Sequence, residues 1–221
     1  MYDAKVYMDE LIERLKEEFG EQLIYVGLQG SYLREEMTEE SDIDPMVVLE
    51  QLSAEELRRY RSIINQMDQP EKSCGFICGR DQLANWNPME VTHLLHSTKD
   101  LYGNLTELVP PSTREDAVNY CRIGLNNLYH FLCHRYIHSD ADHNANALPG
   151  DYKMAFFLLQ DLHYLRTGNF ILSSTLLAET LEGEEQKILY RHLAFKNGAG
   201  CELEADYELL FNWCSKTMAV L

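Results

Sequence analysis

The chain has 221 residues, 36 of them acidic and 19 basic, for a formal charge of −17. That balance argues against a polynucleotide partner, because nucleic-acid binding depends on Lys and Arg neutralising phosphates. No apolar run approaches the roughly 20 residues that span a bilayer, so neither nucleic acid nor membrane is an expected partner.

Residues 3–19 read as an amphipathic helix, with Val6, Leu11, Ile12, Leu15 and Phe19 at helical spacing and Gly20 as its stop. An apolar run at 23–28 predicts a strand, followed by a Gly30-Ser31 turn and a short helix or loop to Glu40. Ser41-Asp42-Ile43-Asp44 then opens a second apolar run through Leu49. In a strand, side chains two apart share a face, so Asp42 and Asp44 project from one side with alpha carbons about 6–7 Å apart and can reach one divalent cation. Pro45 biases Asp44 toward extended backbone and limits pairing on one side of that strand. Ser53 precedes Glu55 and Glu56 as a helix N-cap, and that helix is expected to run to Met67, with a third strand over 72–78.

Pro110-Pro111 marks a break between an expected domain at 1–108 and another at 109–221. Ser112-Thr113-Arg114-Glu115 resembles an N-cap with Glu115 as its capping-box acid, opening a long helix to His138. The segment 139–150, closed by Pro149-Gly150, reads as a loop. Helices are expected at 151–167, ended by Gly168, and at 173–195 and 202–219. The fold class is therefore α+β: a small mixed sheet with flanking helices, then an all-helical bundle.

A Gly-Ser turn opening a helix lets backbone N–H groups and a hydroxyl approach phosphates, and magnesium takes carboxylate, phosphate and water oxygens. Gly30-Ser31 with Arg34, followed by Ser41-Asp42-Ile43-Asp44 on the next strand, resembles the signature of the DNA polymerase beta-like nucleotidyltransferase superfamily. The likeness is to its small bacterial branch, which includes antibiotic nucleotidyltransferases, and extends over about residues 1–105. More loosely, 152–159 with 165–170 and Ser173-Ser174 is similar to the helical substrate-binding domains of those enzymes. The resemblance implies Mg2+ on Asp42 and Asp44, and nucleotide contacts from Gly30, Ser31, Arg34 and Ser41. Lys153 is the candidate for a further phosphate contact, and Asp161 for the acceptor of a hydroxyl proton.

Catalytic members of that superfamily usually carry a third carboxylate on a later strand, whereas 72–79 holds none; Asp81 is the nearest acid after it, Glu71 precedes it and Glu90 lies further on. The expected activity is Mg-dependent transfer of a nucleoside monophosphate from a nucleoside triphosphate, ATP first, to a hydroxyl of a small molecule, with a cationic aminoglycoside-like acceptor favoured by the acidity. Two alternatives stay open: nucleotidylation of a protein partner of the toxin–antitoxin kind, and a nucleotide- or partner-binding protein without turnover. The oligomeric state is not legible.

His130, His134 and His138 stack along one helical face at a spacing that suits a metal, although a solvated face is the simpler reading. The six cysteines, with a charged helical N-terminus and no secretory signal pattern, point to a reducing cytoplasm. Cys74 and Cys78 have no second matching pair, so zinc is not expected there.

Overall fold

A computed structural model describes residues 3–39 and 41–221, in two units: residues up to Ser112, and Thr113–Leu221. The first combines a small mixed sheet with helices and the second is helical throughout, as the α+β reading expects.

In the first unit α1 (Ala4–Phe19) is capped by Asp3, whose carboxylate accepts from the Lys5 and Val6 amides. Its buried face is Ala4, Tyr7, Met8, Leu11, Ile12, Leu15 and Phe19, a stripe at three- and four-residue spacing. Val6 falls off that stripe and is 59% exposed, which corrects its expected core position. The chain continues through β1 (Leu23–Gln29), α2 (Gly30–Leu33), β2 (Asp44–Leu49) and α3 (Ala54–Ile64). Helix α3 begins at a capping box, in which Ser53 and Glu56 satisfy each other's backbone N–H.

Strand β3 (Phe76–Gly79) is shorter and later than expected, because Pro70–Lys72 forms a 3-10 turn and Ser73 meets Ile43 only as an isolated bridge. Three further elements escape the hydrophobic pattern: α4 (Arg80–Ala84), α5 (Pro88–His96) and β4 (Lys99–Tyr102). All four β4 residues are exposed, so no apolar alternation announces the strand.

The sheet order is β3-β2-β1-β4, with β2 and β3 parallel and the other pairs antiparallel. Its two faces bury different rows. Val26, Val47 and Leu49 pack with α1, while Tyr25, Met46 and Val48 pack with Cys78, Leu83 and Leu105. This alternation follows from the two-residue strand period.

The second unit consists of α6 (Arg114–His138), α7 (Ala141–Thr167), α8 (Ser174–Thr180), α9 (Gly183–Lys196) and α10 (Leu203–Val220). Thr113 is the N-cap of α6, so its capping-box partner is Asp116, three residues on, rather than Glu115. The expected loop at 139–150 is instead helix from Ala141, with Pro149 inside it. A mid-helix proline costs about 3 kcal/mol. Tertiary contacts along the same turns offset that cost. Buried Asn144 donates to the carbonyls of Arg135 and Asp140, buried Asp151 pairs with Arg135, and the Tyr152 hydroxyl donates to Asp206 O at 2.8 Å.

Gly168 ends α7 as expected, in the left-handed region at φ 74° with its N–H on Tyr164 O at 2.7 Å. The single helix expected over 173–195 is two helices, interrupted where buried Leu181 closes α8 and Glu182 opens α9. Among the described residues no helix is long and apolar enough to cross a membrane.

Candidate functional site

Strand β1 delivers its last residue, Gln29, directly opposite Asp44, the first residue of β2. The chain then turns at Gly30, whose φ of 72° is a left-handed conformation that glycine adopts without strain. A Cβ on Gly30 would lie 1.8 Å from Asp44 Oδ2, so the carboxylate occupies the space that a side chain there would need. Gly30 and Asp44 are thus in direct contact. Behind them the turn is closed by Arg34 N on Gly30 O at 3.3 Å and Glu36 N on Ser31 O at 3.0 Å, with Ser31 half-buried.

Arg34 reaches the same place. Its side chain is only 13% exposed and lies 3.7 Å from the Glu36 carboxylate. Burial pushes the guanidinium below its ordinary pKa, and the charges of Glu36 and Asp44 pull it back up. One cation and two carboxylates therefore share the turn.

Asp42 and Ser41 stand differently. Asp42 is exposed and precedes β2, although Ile43 is held against the strand-3 side of the sheet by its N–H on Lys72 O at 2.7 Å and by Cys74 N on its own carbonyl at 2.9 Å. The Ser41 hydroxyl accepts from Thr38 N at 2.8 Å and so fixes the bend before the aspartates.

The sheet register bears on the third carboxylate. Ile43 bridges Ser73 and Met46 pairs with Phe76, a constant offset that puts Lys72 beside Asp42 and Cys74 beside Asp44. Neither neighbour is an acid. Asp81 sits on α4 and is exposed, as are Glu71 and Glu90.

The acid missed from sequence is Asp100 on β4, opposite Gly27 and on the same sheet face as Tyr25, Gln29 and Asp44. It accepts from the Tyr25 hydroxyl at 2.7 Å, and burial, followed by that contact, drives the phenol's pKa far up. Beside it Gln29 Nε2 donates to Thr98 Oγ1 at 2.8 Å. Asp100 and Asp44 flank β1 on opposite sides, two strand spacings across and two residues apart along it, or about 12 Å between alpha carbons, too far to share one ion. No signal short of recognising the exposed β4 would have brought Asp100 to this face.

Among the described residues no group of three or more His, Cys, Asp or Glu side chains is placed to hold a metal. The donor set of Asp42 and Asp44 nevertheless has the hard oxygen chemistry that Mg2+ prefers, and Asp44 lies against the Gly30 turn. Of the residues named on the second unit, Lys153 is exposed on α7. Asp161, two turns further on, is 2% exposed; burial, with a smaller push from the Asp161 charge, raises the pKa of the Cys121 thiol on α6 to about 12.

Residues 8–77 match the nucleotidyltransferase domain family. That segment is a nucleotidyltransferase domain, which supports membership of the nucleotidyltransferase superfamily. The matched segment spans the Gly30 turn, both aspartates and β3 up to Ile77, so this nucleotidyltransferase carries its signature where the geometry converges. It is accordingly a transferase. No curated protein matches the chain in sequence.

The nucleotidyltransferase is similar in fold to spectinomycin adenyltransferase AAD(9) from Enterococcus faecialis, solved with ATP and spectinomycin. The likeness has a TM-score of 0.60 at 15% identity and covers 98% of this chain and 100% of that one.

Proposed function

We propose that this nucleotidyltransferase moves a nucleoside monophosphate from ATP to a hydroxyl of a small cationic acceptor and releases pyrophosphate. The contact between Asp44 and Gly30 carries the reading, because it joins a phosphate-sized turn to a metal-binding carboxylate. The acceptor oxygen forms a bond to the α-phosphorus as the bond to pyrophosphate breaks, and the acceptor hydroxyl gives up its proton.

Gly30 and Ser31 would hold phosphate oxygens, with Ser41 as a further nucleotide contact. Asp42 and Asp44 would hold Mg2+, which when bound neutralises charge on the transferring group. Arg34, already facing Asp44, would turn part of its charge to phosphate. From the helical unit, Lys153 would supply a further phosphate contact and Asp161 would accept the proton.

The small-molecule acceptor is supported by the −17 charge of the chain and by the spectinomycin bound in the structure similar to it. All six cysteines are free, which supports the reducing cytoplasm as its location.

The reading is tested by calorimetry with ATP and Mg2+ beside a pyrophosphate-release assay over a panel of aminocyclitols and aminoglycosides. Release that depends on one of those acceptors is expected. ATP binding without release under any acceptor would point to a nucleotide-binding role, and a labelled band from lysate and labelled ATP would move the acceptor to a protein.

A further inference from the structure

His130, His134 and His138 follow one another at single turns along α6, and all three are exposed. The ring centroids of His134 and His138 are 4.8 Å apart, while those of His130 and His134 are 5.9 Å apart. Two imidazole nitrogens on one zinc, each at about 2.0–2.1 Å with an angle between about 90° and 110°, put the ring centroids about 4.5–5.2 Å apart. The His134–His138 separation falls inside that span and the His130–His134 separation outside it. His130 and His138 are eight residues apart, about 12 Å along the axis, so the three cannot close on one ion.

We propose that His134 and His138 form a two-ligand surface site for a divalent transition metal of the zinc class, with water in the remaining positions. Imidazole nitrogen selects zinc, copper or nickel over magnesium, so the site is chemically separate from the oxygen donors Asp42 and Asp44. It also stands apart from nucleotide transfer, because neither histidine belongs to the turn that carries that reading. Both rings already stand in solvent on a helix anchored by Leu125, Leu128 and Leu132, so an ion can bind without opening the core.

The test is titration of the full chain with zinc chloride in excess Mg2+, followed by calorimetry and by the imidazole ring resonances. One saturable step is expected, in which the His134 and His138 signals move together. His134→Ala and His138→Ala are expected to remove the step, and His130→Ala to leave it. Circular dichroism checks that the helix persists in each variant. Absence of a saturable step in the unmodified chain, survival of the step in His134→Ala or His138→Ala, or its loss in His130→Ala would each overturn the site.

Discussion

Asp44 Oδ2 fills the position where Gly30 has no side chain: a Cβ there would come within 1.8 Å of it. Gly30→Ala is therefore expected to expel the carboxylate and to cost about 1–2 kcal/mol for the left-handed backbone alone. Calorimetry should show loss of Mg-dependent ATP binding together with a lowered melting temperature. Unchanged ATP affinity in this variant would separate the turn from the nucleotide.

The two aspartates should part company in stability while agreeing in activity. Asp42 is exposed, so Asp42→Asn is expected to remove pyrophosphate release with a stability change within about 0.5 kcal/mol. Asp44 is half-buried beside the half-buried Arg34, so Asp44→Asn is expected to remove release and to destabilise by about 1–2 kcal/mol as well. Denaturant melts beside the release assay read both effects.

Glu35 holds φ 58° at the exposed end of the same turn, a conformation that costs a side-chain-bearing residue and not glycine. Glu35→Gly is expected to raise stability by about 1 kcal/mol, less the extra freedom it gives the unfolded chain. A melting temperature clearly below that of the original chain would show the turn to be unstrained, because only the unfolded chain's extra freedom would then be left.

Burial, followed by the nearby Arg166 charge, holds the His163 imidazole below its ordinary pKa, against a smaller upward pull from Glu185. The unfolded chain then binds this proton more readily than the folded one. Stability is accordingly unaffected by His163 above its unfolded value and is lost as pH falls through about 6.5. His163→Gln should flatten the part of the stability–pH curve that falls away below about pH 6.5, read by urea melts at each pH.

The helical contribution to catalysis is tested at Asp161. Proton acceptance predicts that Asp161→Asn lowers turnover by about 100-fold or more while leaving ATP affinity intact. A carboxylate at 2% exposure that serves only the packing of α6 on α7 would instead show a lowered melting temperature with turnover retained. The two readouts separate the roles.

Much of this protein is written locally. The apolar rows of α1, β1 and β2, the caps at Ser53 and Gly168, and the Gly30-Ser31 and Asp42-Ile43-Asp44 spacing depend on neighbours a few residues away, so sequence determines them. Other features depend on partners far along the chain. The helix through Pro149 exists because Asn144 and Asp151 bond to α6, and β4 exists because its exposed residues find the backbone of β1. Only the parallel register of β2 on β3 decides that Lys72 and Cys74, and no carboxylate, flank the two aspartates, and only the packing of the turn brings Gly30, Arg34 and Asp44 together. Hydrophobic period and capping are short-range forces, whereas register and burial of charge are settled by the whole sheet.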